Sequence, residues 1–245
     1  MKIATLGRAA PLVAVLALTG CPTAQASKDC LNLTEAEREG LVPVDPACLA
    51  VAKAAANEQV TQFDTDKVGE TPAGWSVVKG TWKVAVDLAA PSTPNVLEQS
   101  ATDQDFPIAL FDKMGAIDYG EMFVRLKVIS GSKAQAAGVV FRYVDDKNYY
   151  TVRINQTEGT WNLFRTIDGM REKFDPIAGA PGADPATFTL LKVKFKGTAI
   201  TAYANNVPVI TYTETSPKAP TKGKVGLWTK DDSVVHFDSL EVGHE

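Results

Sequence analysis

The stretch GVVFRYVDDKNYYTVRINQTEGTWNLFRTIDG, residues Gly138 to Gly169, decides the fold. Val139, Phe141 and Tyr143 alternate with Val140 and Arg142, then an Asp145-Asp146-Lys147-Asn148 turn intervenes. In the next segment Tyr150, Val152 and Ile154 oppose Tyr149, Thr151, Arg153 and Asn155, and a third strand-like segment follows almost at once. Side chains on a strand point alternately to its two faces, so this period of two predicts antiparallel sheet with one apolar and one wetter face.

Working outward, the same pattern recurs from Phe63 onward. Strands are expected at 75–79, 81–87, 95–99, 107–111, 121–129, 137–143, 148–155, 160–167, 187–195, 199–204, 207–213, 223–229 and 234–242. Turn residues separate them, as at Pro72-Ala73-Gly74, Pro91-Ser92-Thr93-Pro94, Ser130-Gly131-Ser132 and Asn205-Asn206. Asp175 to Ala186 carries three prolines and two glycines, which removes ladder donors and predicts a long surface loop. No repeat of solenoid or propeller period is present. Many short strands without helix-length patterns between them imply an all-β, two-sheet antiparallel jelly-roll sandwich, preceded by a short helical appendage.

That appendage belongs to an N-terminal region of different character. Lys2 and Arg8 precede the apolar run Pro11–Leu18, which is far shorter than the roughly 20 residues needed to span a bilayer. Leu18-Thr19-Gly20-Cys21 resembles a bacterial lipobox, which implies cleavage before Cys21 and lipidation of its thiol and new amine. The alternative is an ordinary signal peptide cut after Ala24 or Ala26, which would discard Cys21. The expected organisation is a signal peptide at 1–20, a polar tether at 21–29, a helical segment at 30–60 and the jelly roll at 61–245. Thr34 with Glu37 resembles a capping box, and Asp45-Pro46 suits an N-cap and first helical position. Cys30 and Cys48 form an even pair in an exported chain, most simply a disulfide, with two free thiols as the alternative.

Composition narrows the function. The full chain has a net charge of −4 with 25 basic and 29 acidic residues, and no basic run exceeds two residues. Neither feature suits a nucleic-acid partner. The membrane would be met only through the N-terminal lipid.

FDTDKVGETPAGWSVVKGTWKV, the central GVVFRYVDDKNYYTVRI and NLFRTIDG, and the closing GKVGLWTKDDSVVHFDSLEV together resemble exported bacterial domains of the concanavalin A-like lectin/glucanase superfamily. The resemblance spans Phe63 to Val242 and is nearest to 3-keto-disaccharide hydrolase-like and LamG-type domains. It implies two antiparallel sheets, one bent to a concave face, and a protein that binds or cleaves polysaccharide.

The candidate ligand residues are Arg142, Tyr149, Arg153, Asn155, Trp161, Arg165 and Trp228. Arg142, Arg153 and Arg165 stand on neighbouring strands, and guanidinium forks match carboxylates and adjacent sugar hydroxyls. Tyr149, Asn155 and Trp161 would add stacking surface and hydrogen bonds. The competing reading pairs the arginines with Asp145, Asp146 and Asp168, and Arg165 shares its face with Leu163 and Ile167. Trp228, ahead of Lys230, Asp231 and Asp232, lines the concave face in the resembling family, yet beside Gly226 and Leu227 it also reads as core. Asp64 and Asp238, near the two ends of the domain, are candidate ligands for a structural calcium of the kind the superfamily often carries; the alternative is that they cap strand ends. Six to eight oxygens would be required, so carbonyls and water must help.

Catalytic signals are sparse. The laminarinase-like relatives carry a compact E-x-D-x-x-E strand, whereas Glu121, Glu158 and Glu172 stand alone here. His236 and His244 are the available imidazoles. The leading expectation is a lipid-anchored envelope protein, facing the periplasm or cell surface, whose jelly roll binds a glycan or polysaccharide without cleaving it. The alternatives are a glycoside hydrolase-like enzyme and a structural interaction module of the envelope.

Overall fold

The computed structural model describes Asp45, Cys48, residues 59–182 and residues 187–243. The chain divides into two units, Met1–Ala52 and Lys53–Glu245, and the description below concerns the second. The signal peptide, Cys21, the tether, Cys30 and most of the helical appendage lie outside the described residues.

In chain order the strands are β1 (Gln59–Thr61), β2 (Trp75–Lys79), β3 (Trp82–Val86), β4 (Asn95–Gln99), β5 (Ile108–Phe111), β6 (Gly120–Ser130), β7 (Ala136–Asp145), β8 (Asn148–Asn155), β9 (Thr160–Ile167), β10 (Met170–Phe174), β11 (Thr189–Lys196), β12 (Ala199–Ala204), β13 (Val207–Thr213), β14 (Lys224–Thr229) and β15 (Val234–Gly243). One sheet runs β13-β12-β11-β6-β15-β4-β3, with β1 also paired to β15, and the other runs β10-β9-β8-β7-β14-β5-β2. Every pairing between these strands is antiparallel. The two-sheet jelly-roll architecture is therefore the one expected.

Strand β6 shows how the pattern makes the sandwich. Met122, Val124, Leu126 and Val128 are buried, while the alternating Glu121, Phe123, Arg125 and Lys127 are less so. The same periodicity turns Leu191, Val193 and Phe195 of β11 inward. Phe141 of β7 stacks on Phe195 with ring centroids 5.0 Å apart, joining the two sheets through one apolar core.

The seven-stranded sheet is buried on its outer side as well. Ile108, Leu110, Ala136, Val140, Tyr149 and Trp228 form a second cluster there, separate from the inter-sheet core. Central strands covered on both faces lose the clean apolar-polar alternation that an exposed sheet keeps. This outer layer is where polar and aromatic side chains collect.

Candidate functional site

Register assigns each residue to a face. In β8, Tyr149, Thr151 and Arg153 lie opposite Thr166, Phe164 and Asn162 of β9, and Asn155 lies opposite Thr160. Arg153 also lies opposite Gly138 of β7, which in turn faces Trp228 of β14. Arg171 of β10 pairs with Thr166. Cross-strand partners share a face, so Tyr149, Arg153, Asn155, Trp228 and Arg171 all stand on the outer face of the seven-stranded sheet.

The centre of that face is an aromatic floor crossed by guanidiniums. The Arg171 Cζ lies 3.5 Å from the Phe164 ring centroid, 4.8 Å from Phe106 and 5.2 Å from Trp228. Arg153 lies over the same Phe164 ring at 5.0 Å. Phe106, from the loop before β5, stacks on Trp228 with centroids 5.7 Å apart, and Tyr143 leans on Tyr149 at 5.8 Å.

The polar atoms above this floor are largely unpaired. Among the described residues, buried Nε and Nη1 of Arg153, Nε and Nη2 of Arg171, Oγ1 of Thr151 and Thr166, and Nε1 of Trp228 have no hydrogen-bond partner. Native proteins pair most buried polar groups, and those left over call for an explanation. Glu158 approaches Arg153 at 3.7 Å, but its side chain is 58% exposed and the contact is weak.

Electrostatics mark the same spot. Burial pushes the Arg171 pKa down to about 10, and repulsion from Arg153 adds to this against the pull of Tyr149 and Asp231. Burial likewise lowers Arg153, opposed by Glu158 and Asp231. Burial raises the Tyr149 phenol, against the neighbouring Thr166 hydroxyl, Arg171 guanidinium and Trp228 N–H. Those last groups sit near the phenol, yet Thr166 Oγ1 and Trp228 Nε1 reach no hydrogen-bond geometry.

The three arginines singled out from the sequence do not converge. Arg142 adopts φ 48° at a bulge between Phe141 and Asp145. The extra residue reverses the alternation: Tyr143 joins the outer face beside Tyr149, and Arg142 turns inward. There its Nη2 donates to the carbonyls of Asp118 (3.1 Å) and Gly197 (2.7 Å), and its Cζ lies 5.4 Å from the Phe195 ring. It borders a cavity of about 480 Å³ at the end of the sandwich, shared with Asp118, Lys196 and Glu214.

Arg165 is also on the inner side, as its shared alternation with Leu163 allowed. It pairs with Glu214 and Glu172. Glu214 is saturated, accepting from the Tyr150 hydroxyl at 2.5 Å and the amides of Thr215 (2.9 Å) and Ser216 (2.6 Å) as well. Burial alone would raise its pKa, but the Tyr150 hydroxyl, the Ser216 amide, Arg165 and the Thr215 amide hold it below the ordinary value. Trp161 packs in the inter-sheet core and donates Nε1–H to the Pro181 carbonyl at 2.8 Å. None of Arg142, Trp161 and Arg165 reaches the outer-face cluster.

The acids proposed for calcium accept hydrogen bonds from the Ser92–Asn95 connection. Asp238 accepts from the Ser92 N–H at 2.9 Å and its hydroxyl at 2.6 Å, one donor on each oxygen, and Asp64 accepts the Asn95 N–H at 3.1 Å. Among the described residues no group of three or more His, Cys, Asp or Glu could hold a metal ion. Asp64 and Asp238 anchor the Pro91–Asn95 connection. Asp232, beyond Trp228, is likewise spent on the amides of Ser132, Lys133 and Ala134. His236 is held between two carboxylates on the other sheet and is no free base.

No protein-family model matches the chain, and no curated protein matches it. Solved structures do. The carbohydrate-binding module CBM66 from Bacillus subtilis is similar at 18% identity and TM-score 0.54, covering 69% of this chain and 94% of that one. The cellulose-induced protein Cip1 gives 11% identity and TM-score 0.54 over 76% of this chain and 97% of its own. The Crh5 transglycosylase gives 16% identity and TM-score 0.52 over 76% and 84%. At these identities the shared property is the fold.

Proposed function

We propose that the protein binds a glycan on the outer face of the seven-stranded sheet and does not cleave it. The observation that carries this reading is the set of unpaired buried donors on Arg153, Arg171 and Trp228 above the Phe164, Tyr149 and Trp228 rings. Sugar sites combine apolar stacking surface with a few convergent polar groups, and this face gathers both in a buried layer. The fold is shared with a carbohydrate-binding module and with a transglycosylase, so the architecture suits either binding or catalysis. Binding is favoured because the paired strand positions that line the floor carry Arg, Asn, Thr and aromatic residues. Asp231 and Glu158 act on the arginines from neighbouring turns. A glycosidase needs two carboxylates flanking one bond.

The reading includes the N-terminus: a lipid on Cys21 would hold the domain at an envelope surface, with a Cys30–Cys48 disulfide stapling the segment between. Replacing Cys21 with Ser should release the protein from membranes into the soluble fraction.

A glycan array probed with the full chain, followed by calorimetry and reducing-end analysis, tests the assignment. At least one glycan should bind, Arg153→Ala should weaken it about tenfold or more, equal to ~1.4 kcal/mol, and no new reducing ends should form. Unchanged affinity in Arg153→Ala would remove the site, and sugar release would restore the hydrolase alternative.

A further inference from the structure

We infer that the ligand of this face is a negatively charged sugar, gripped jointly by Arg153 and Arg171. The inference rests on the glycan-binding reading and adds the chemical class. Both guanidiniums lie over one Phe164 ring, at 5.0 and 3.5 Å, so they are near neighbours of like charge. Each has a buried Nε–H and a further buried Nη group with no partner. Burying charge without a counter-group is costly, and truncating or pairing such groups is the usual solution.

The protein does this only in part: Glu158 stands 3.7 Å from Arg153 Nη2, and Asp231 acts on both guanidiniums. The acids acting on the pair, Asp231 and Glu158, leave those donors unpaired. The aromatic rings below offer cation-π attraction but accept no conventional N–H hydrogen bond. A neutral sugar hydroxyl could fill one donor direction, but a charge-assisted hydrogen bond is about twice as strong as a neutral one. An oxyanion would also relieve the repulsion between the guanidiniums, which a hydroxyl cannot do. Two forks presenting several N–H groups suit a group with two or more acceptor oxygens: a hexuronate carboxylate or a sugar sulfate. Thr151, Thr166 and the Trp228 N–H would remain for ring hydroxyls.

Paired probes separate this inference from the reading beneath it. Oligogalacturonate and oligomannuronate would be titrated against the full chain beside their methyl esters, and sulfated chondroitin oligosaccharides beside desulfated ones, alongside a neutral glycan array. At least one charged probe should bind, its neutral counterpart should bind about tenfold more weakly or worse, and added salt should weaken the charged complex. The uronate and sulfate arms identify the oxyanion. Arg153→Gln and Arg171→Gln should each erase the preference for the charged member. If the neutral member binds as tightly as the charged one, the acidic ligand is wrong while glycan binding stands. If neither the paired probes nor the array gives binding, the glycan reading itself fails. Should either variant lose its near-ultraviolet circular dichroism, the charged-versus-neutral comparison on the unaltered protein still decides.

Discussion

His236 of β15 is held between two acids on the outer face of the larger sheet. Its Nδ1 lies 2.8 Å from Asp87 Oδ2 and its Nε2 lies 2.9 Å from Glu98 Oε2, while Lys127 stands 3.3 Å from the same Asp87 oxygen. A carboxylate at each ring nitrogen makes both nitrogens donors, which describes the imidazolium. Burial would lower the pKa, but Glu98 and Asp87 more than offset it and raise it above the ordinary value. A raised folded pKa means stabilisation fully present below the unfolded value of about 6.5 and lost as pH climbs through the folded one. Asp87 runs the other way. Burial opposes it, yet His236, the Ala89 amide and Lys127 keep its pKa lowered, so its contribution fades as pH falls through its folded pKa. The cluster should be strongest on the acidic side of neutrality. Urea midpoints taken from about pH 6 to about pH 9 should fall in the native protein, and His236→Gln should flatten the part owed to this residue. Parallel curves for the two proteins would show that the cluster contributes nothing.

At the scale of the element, the face depends on how closely β7 and β8 approach. A Cβ built on Gly138 would sit 1.9 Å from the Val152 carbonyl oxygen and 2.7 Å from the Arg153 Cα. Backbone cannot yield as a flexible side chain can, so Gly138→Ala must push the strands apart. We expect a loss of roughly 1–3 kcal/mol in urea unfolding, together with weakened glycan affinity, because Arg153 rides on the displaced strand. An unchanged midpoint would show that the ladder tolerates the methyl group. The period of two made β7, β8 and β9 legible from sequence, and with them the outward placement of Tyr149, Arg153 and Asn155. It could not reveal the bulge at Arg142, which depends on one residue's backbone adopting positive φ and flips everything after it. Strand β10 escaped because Met170-Arg171-Glu172-Lys173-Phe174 is charged and sits at a sheet edge, where alternation is faint. Its signal was nevertheless present. Asp168-Gly169 is a strong hairpin pair, both residues have positive φ, and following the turn would have set Arg171 beside Thr166.

Across the whole molecule the charged side chains divide between two tasks on opposite sides of one sheet. On the inner side, Tyr150 and Arg165 meet Glu214, just beyond β13, so the two sheets are tied by hydrogen bonds as well as by the apolar core. These groups satisfy one another, whereas among the described residues the buried Nε and Nη1 of Arg153 and Nε and Nη2 of Arg171 on the outer side find no hydrogen-bond partner. Stability and binding should therefore separate under mutation. Tyr150→Phe removes one donor to Glu214 but leaves Arg165, Thr215 and Ser216, and should cost about 1–2 kcal/mol. Glu214→Ala strips the acceptor from both Tyr150 and Arg165. Among the described residues Arg165 then retains only the exposed Glu172 as an acid partner, so the loss should reach about 3 kcal/mol. Since both changes remove the Tyr150–Glu214 bond, the double variant should lose less than the sum of the singles in a double-mutant cycle. Glycan affinity, measured at a temperature where each variant stays folded, should not move, because these side chains lie on the inner side of the sheet. Strict additivity would show that Tyr150 and Glu214 do not act on one another, and a parallel fall in affinity would show that the two faces are coupled through the strands they share.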